Sequence, residues 1–144
     1  MALNDALFSS AKQDWETPQD LFDELNAEFG FTVDAAASDE NAKCAKYYTD
    51  RDDGLSKNWG GQIVFCNPPY GRPISGWIRK CWQEGQKPGT VVVALVPART
   101  DTKWFHNYIW HKAEIRFIKG RLKFGNAKNT APFPSMIAIW RGAE

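Results

Sequence analysis

Long apolar runs are missing from this sequence. None approaches the ~20 consecutive residues that a membrane-spanning helix needs, and the amino terminus lacks the basic start and apolar core of a secretory signal. Both absences lead us to expect a soluble, cytoplasmic protein. Cysteine is scarce: the three residues are Cys44, Cys66 and Cys81. An odd count without C-x-x-C spacing or a histidine at ligand spacing argues against a disulfide framework and against a zinc site, so all three read as reduced and structural, and no metal is expected. Repeats, low-complexity tracts and linkers are also lacking, and 144 residues suit one domain. A hydrophobic fraction of 43% excludes the composition of a disordered chain. The net charge of +1 conceals a division, because residues 1–72 carry 13 acidic and 6 basic side chains while residues 73–144 carry 4 and 12. Such asymmetry suggests a basic face for a polyanion beside an acidic lobe.

Along the chain, the stretch through Lys12 has no period and reads as a loose arm. Thr17-Pro18-Gln19-Asp20 then offers an N-cap, a proline at the first helical position and an acid three residues after the cap. Leu21, Phe22, Leu25 and Phe29 follow at helical spacing, and Gly30 stops the helix. Residues 31–33 predict a short strand leading into small residues, and 46–49 a second one ending at Asp50. Residues 63–66 read as a buried strand halted by prolines. Ile74, Trp77, Ile78, Cys81 and Trp82 define a core-facing helix that ends near Gly85. Residues 90–96 predict an interior parallel strand, Trp104, Phe105, Tyr108 and Ile109 a helix, and 114–118 a strand. Residues 121–124 and 136–140 read as a C-terminal antiparallel hairpin. The sum is an α/β fold, an open three-layer sheet that is mostly parallel. Ligands in such sheets lie beyond the carboxyl ends of the strands, so the exits after Val33, Thr49, Cys66 and Val96 should gather around one pocket.

The exit at Asn67-Pro68-Pro69-Tyr70 carries the chemistry. Two prolines alone mean little, but an Asn before and a Tyr after lower the odds of coincidence to about one in a thousand. The prolines hold Asn67 extended, presenting its side-chain oxygen and the Pro68 carbonyl as neighbouring acceptors. Two acceptors suit a planar NH2 group. Such nitrogens are poor nucleophiles, and hydrogen bonds that strengthen as positive charge builds on them favour rehybridisation. Asn is no proton acceptor near pH 7, so the electrophile must already be strong, as a sulfonium methyl is. Tyr70 supplies a flat face for a planar substrate.

Asn67-Pro68-Pro69-Tyr70 resembles the motif of S-adenosylmethionine-dependent amino methyltransferases, which are Rossmann-like. Trp15-Glu16-Thr17-Pro18, Asp34-Ala35-Ala36 and residues 65–71, 96–105 and 120–125 add to this, as does Ala131-Pro132-Phe133-Pro134-Ser135. Together they are similar in identity and order to the phage-type DNA N6-adenine methyltransferase family. The four-residue motif is also shared with enzymes that methylate protein glutamine or RNA amino groups, which stay open as alternatives, as does a non-catalytic nucleic-acid-binding relative. The resemblance implies a single minimal catalytic domain over 1–144, without a separate target-recognition domain, acting in the host cytoplasm of a bacteriophage on adenine N6 in DNA.

It implies Asn67, Pro68, Pro69 and Tyr70 as the catalytic set. Thr17 and Pro18 fall at the methionine end of S-adenosylmethionine, with Trp15 nearby, and Asp34 at its amino or ribose groups; Ala35, Ala36 and Asn67 also belong to the cofactor set. Asp50 suits the ribose hydroxyls and Asp53 the cofactor's adenine amino group. The glycine-rich G-x-G turn of the wider methyltransferase pattern is absent, replaced by Ala35-Ala36-Ala37-Ser38. On the DNA side, reaching N6 in a duplex requires turning the nucleotide out of the stack. Tyr70 is the first stacking candidate and Phe124 the second. Arg99, Lys103, Lys119, Arg121, Lys123 and Lys128 are candidates for phosphate contacts. His106 and His111 carry no metal or triad spacing and read as packing or surface residues.

Overall fold

The computed structural model describes residues 15–125 and 127–143, and the arm expected through Lys12 lies outside them. Helix α1 spans Gln19–Phe29, buries Phe22 and Leu25, and ends where Gly30 turns left-handed and donates its N–H to the Asn26 carbonyl. Pro18, not Thr17, stands at its cap position, with no side-chain cap bond. Strand β1 is Val33–Asp34, β2 Ile63–Cys66 and β3 Val91–Pro97. Helix α2, Ile74–Gly85, lies between β2 and β3 in sequence. Strand β4 is Glu114–Phe117 and β5 is Ser135–Arg141.

These five strands form one mixed sheet in the order β1-β2-β3-β5-β4. The first three are parallel, while β5 runs antiparallel to both of its neighbours. Residues 92–97 of β3 are buried without alternation, as an unbroken apolar strand at the middle of a sheet must be. Phe65 of β2 meets Phe22 of α1 edge-on at 5.2 Å. The next residue, Cys66, shares a hydrogen bond with Cys81 of α2.

The structure departs from the sequence expectations in four further places. The C-terminal strand pairs not with residues 121–124 but with β4, through Met136 opposite Phe117 and Ile139 opposite Glu114. Glu114 adds charge pairing there, with Arg116 and Arg141 both at 2.7 Å. Residues 121–124 instead turn back across the molecule, where Phe124 gains a buried aromatic environment. The strand expected at 46–49 reduces to one bridge, Tyr47 beside Asp34, flanked by the Asp34-to-Lys46 and Tyr48-to-Asp34 backbone bonds. The helix expected from Trp104 is a single π-helical turn, Phe105–Ile109, closed by the Trp110 N–H on the Phe105 carbonyl at 2.8 Å. Extended Trp110 and left-handed His111 stop it there. Finally, the first strand starts later than expected: Thr32 donates its N–H to the Ile63 carbonyl at 2.8 Å, but the Ile63 N–H goes to the Thr32 hydroxyl at 3.0 Å and not to a backbone carbonyl.

One buried charge cluster braces the loop before β2. Glu84 of α2 is 5% exposed and accepts from the Trp59 N–H at 2.6 Å and from Lys87 Nζ at 2.8 Å, with Lys80 Nζ at 3.6 Å. Lys80 also donates to the Lys57 carbonyl and lies 5.4 Å over the Trp59 ring. Trp59 passes the restraint on, its Nε1–H donating to the Gly54 carbonyl at 3.1 Å. Burial pushes the Glu84 carboxyl up, but the bonds from Lys87 and the Trp59 N–H outweigh it and hold the group below its ordinary value. Removing one partner from such a buried pair leaves the other charges stranded. Glu84→Ala is therefore expected to cost about 3 kcal/mol in urea unfolding at pH 7. Because the folded carboxyl titrates below the ordinary 4.5, its stabilisation is complete above that pH and is lost as the pH falls through the folded value. The difference in unfolding free energy between wild type and variant should accordingly shrink below pH 4.5.

Candidate active site

Strands β1 and β2 end side by side, and their exits, with residues 48–55, enclose a cavity of about 460 Å³. That volume is in the range of small-molecule sites. Trp15 and Thr17 line it from the chain preceding α1, Asp34, Ala35 and Ala36 from the exit of β1, and Asn67 from the exit of β2. Asp50 and Asp53 stand exposed at its edge. The structure thus brings together the residues assigned to a cofactor, with one exception. Pro18 does not line the cavity, because it forms the entry of α1, where its carbonyl accepts the Phe22 N–H at 3.1 Å. The exit of β3 is also apart, for Pro97 and Arg99 face a second hollow of about 310 Å³. Consecutive motif residues divide between the two spaces: Asn67 and Pro69 line the first, Tyr70 the second.

Asp34 organises the turn after β1. Its carboxylate accepts the Lys43 N–H at 3.0 Å and the Ala36 N–H at 3.4 Å, and the residue is 3% exposed. Burial raises its pKa above the usual carboxylate value, against the opposing pull of these two N–H groups. Burial and the Asp34 charge push the neighbouring Cys44 thiol up to about 11, which leaves it protonated and unreactive at neutral pH. Facing this turn is Gly54, whose backbone lies so near Ala35 that an added Cβ would sit 2.3 Å from the Ala35 carbonyl oxygen. Sequence reasoning picked out Asp53 but missed Gly54 as part of the wall. It also missed Lys43, Tyr48 and Trp77, which line the cavity without belonging to any motif. Trp77 was hidden by its helical spacing, which reads equally well as core.

The geometry of Asn67 follows from hydrogen-bond chemistry. Its Nδ2 donates to the Trp15 carbonyl and to Thr17 Oγ1, the latter at 3.0 Å. A backbone carbonyl accepts and never donates, so the amide nitrogen must face Trp15 and the amide oxygen must face away. That oxygen, Oδ1, is buried and has no hydrogen-bond partner among the described residues. Buried polar atoms are nearly always paired, so an unpaired acceptor at this place marks a position for a donor brought by a ligand. Thr17, expected to cap α1, serves instead as one of the two acceptors that hold Asn67.

Tyr70 is 1% exposed, and its hydroxyl donates to the Leu95 carbonyl at 3.1 Å. Its ring lies in a cluster with Trp15 at 6.5 Å, Phe124 at 6.4 Å and Phe133 at 5.6 Å. Phe124 and Phe133 both reach Trp15 as well, at 5.5 and 5.3 Å. The two aromatics proposed for stacking, Tyr70 and Phe124, are therefore together but enclosed, and Phe133 completes the group. The segment between β4 and β5 delivers the two phenylalanines and is tied to the front of the site by the Gly125 N–H on the Glu16 carbonyl at 2.8 Å. Lys119, Arg121, Lys123 and Lys128 are exposed along that segment, and Lys103 is exposed beside the β3 exit. Among the described residues no group of three His, Cys, Asp or Glu side chains is placed to hold a metal ion, and no helix is long and apolar enough to cross a membrane.

Comparison with known proteins places this arrangement. The chain is 34% identical over 110 residues to the DNA N-6-adenine-methyltransferase of Escherichia phage T1, an alignment that covers 75% of this chain and 45% of that protein. It is 31% identical over 120 residues to the DNA N-6-adenine-methyltransferase of Haemophilus phage HP1 (strain HP1c1), covering 81% of this chain and 69% of the relative. The chain thus spans less than half the length of the first relative and about two thirds of the second. The family model described as DNA N-6-adenine-methyltransferase (Dam) matches residues 5–143. An unpaired amide oxygen after an apolar strand, a cavity gathered at the strand ends and a match over almost the whole length agree, and the chain belongs to the DNA N-6-adenine-methyltransferase (Dam) family.

Proposed function

We propose that the protein transfers a methyl group to the N6 amino group of adenine in DNA, with S-adenosylmethionine as donor, by direct in-line attack. The observation that carries this reading is the buried Asn67 Oδ1, oriented by the Trp15 carbonyl and lacking a partner. It is an acceptor awaiting an N–H, and an exocyclic amino group offers one.

The residues around the first cavity suit the donor. The Asp34 carboxylate and the exposed Asp50 and Asp53 are acceptors for hydroxyl and amino groups, and Gly54 leaves room where a side chain would intrude. Trp15, Thr17, Ala35 and Ala36 complete the set that would hold it, with Pro18 acting one step back by starting α1. When bound, S-adenosylmethionine supplies a methyl on a sulfonium, an electrophile that needs no further activation. The chain's own part is positioning. Asn67 Oδ1 and the Pro68 carbonyl accept from the amino group, and these bonds strengthen as the nitrogen becomes positive. Pro68 and Pro69 keep Asn67 from rotating away. Arg99, Lys103, Arg121 and Lys123 supply phosphate contacts, and Tyr70 and Phe124 offer faces to the base once their cluster with Trp15 and Phe133 opens. The loops around the site contribute to the readout of sequence. The sheet itself fits a Rossmann-like three-layer arrangement: Phe65 meets α1 and Cys66 meets α2, and neighbours on a strand point to opposite faces.

Two outcomes follow. Asn67→Ala should lower the rate of methyl transfer to DNA by about 10²–10³, the usual loss for one positioned polar group, while calorimetry with S-adenosylhomocysteine shows affinity largely retained. Retention of full transfer activity would remove Asn67 from its assigned role. Gly54→Ala should do the reverse, reducing affinity for S-adenosylhomocysteine at least about tenfold by forcing the turn off Ala35, with a cooperative thermal transition preserved.

A further inference from the structure

Two buried side-chain atoms at the front of the site lack partners among the described residues, and they are of opposite kind. Asn67 Oδ1 is an acceptor and Trp15 Nε1–H is a donor. Both residues line the same cavity, and the Trp15 carbonyl is itself bonded to the Asn67 amide, so donor and acceptor belong to one rigid unit. The indole is held in place by Tyr70, Phe124 and Phe133. An indole N–H shut away from water without an acceptor is a standing cost to the fold, the kind retained where a ligand supplies the missing partner.

We propose that Trp15 reads the target base, its indole N–H donating to the ring nitrogen beside the amino group that Asn67 Oδ1 accepts. This rests on the adenine-methylation reading above and adds a hydrogen bond to a ring nitrogen, which that reading lacks. In adenine the N6 amino group is a donor flanked by two acceptors, N1 and N7. A donor and an acceptor on two residues that line one cavity suit either edge. Guanine carries O6 where adenine carries its amino group, and thymine carries O4. Each would set an oxygen against Asn67 Oδ1, and on the Watson–Crick side their protonated N1 or N3 would also oppose the indole N–H. The pair thereby disfavours a base that presents a carbonyl oxygen where adenine has its amino group, before any chemistry occurs.

The test is a cycle between protein and substrate. The target adenine in an oligonucleotide that the wild-type protein methylates is replaced by 1-deazaadenine and by 7-deazaadenine, and kcat/KM is measured for wild type and Trp15→Phe. Wild type should lose at least about tenfold on one analogue, and Trp15→Phe should lose a similar factor on adenine with no further loss on that analogue, the signature of a shared contact. Should the phenylalanine variant not fold, benzothienylalanine at position 15 keeps both rings and removes only the N–H. Equal wild-type rates on all three substrates, or the same analogue penalty in the variant as in wild type, would overturn the assignment. So would a loss of S-adenosylhomocysteine affinity in the variant with the analogue penalty unchanged, which would give the N–H to the cofactor. Methylation of adenine without analogue sensitivity sinks this inference alone, whereas absence of transfer to any DNA sinks the proposed function and this with it.

Discussion

One backbone carbonyl, that of Trp15, decides which way the Asn67 amide faces. The prolines after Asn67 fix its backbone, but a side-chain amide can still present either end, and only an obligatory acceptor removes the choice. Thr17 Oγ1 reinforces the same orientation from two residues along. The consequence reaches the whole front of the molecule. The segment preceding α1 cannot shift without releasing Asn67, and that segment is in turn tied through the Glu16 carbonyl to Gly125 and through the Trp15 ring to Phe124 and Phe133.

On the opposite wall the support runs through a different chain of contacts. A carboxylate in α2, Glu84, holds Trp59, Trp59 holds the Gly54 carbonyl, and Gly54 presses on the carbonyl of Ala35 at the β1 exit. Asp34 closes the same turn from within by taking the N–H groups of Ala36 and Lys43. A chain without the usual glycine-rich turn thus obtains a tight approach at this strand exit by other means. Small side chains at 35–37 leave the space open, and a glycine from a separate loop fills part of it. The acidic first half of the sequence supplies this lobe, and the basic second half supplies the exposed strap between β4 and β5.

Much of this was legible in the sequence because it depends on local pattern. The limits of α2 and β2 follow from apolar spacing bounded by proline and glycine, and the nature of the motif follows from the chemistry of Asn and Pro. What was not legible depends on partners far away in sequence. Residues 136–140 announce a strand, but alternation in 114–117 and in 121–124 offers two equally plausible mates, and only the sheet as a whole selects the first. Apolar residues at 104, 105, 108 and 109 fit a π turn as well as an α-helix. Thr17 looked like a cap because capping and accepting from Asn67 ask for the same hydroxyl, and the donor stands fifty residues on. Tyr70 was legible as an aromatic beside the motif, but its enclosure by three other rings arises from tertiary packing alone.

The strand order carries a further implication for how the chain is born. β5 is the last of the described strands to be synthesised, yet it lies between β3 and β4. Until residues 135–141 emerge from the ribosome, β3 offers one naked edge and β4 has no mate at all, since its ladder is made with β5 only. The nascent protein must therefore carry an unfinished, apolar seam from the synthesis of β3 until β5 emerges and close it in a late, long-range step, a route that makes chaperone shelter or rapid completion worth more to this fold than to one that grows strand by strand.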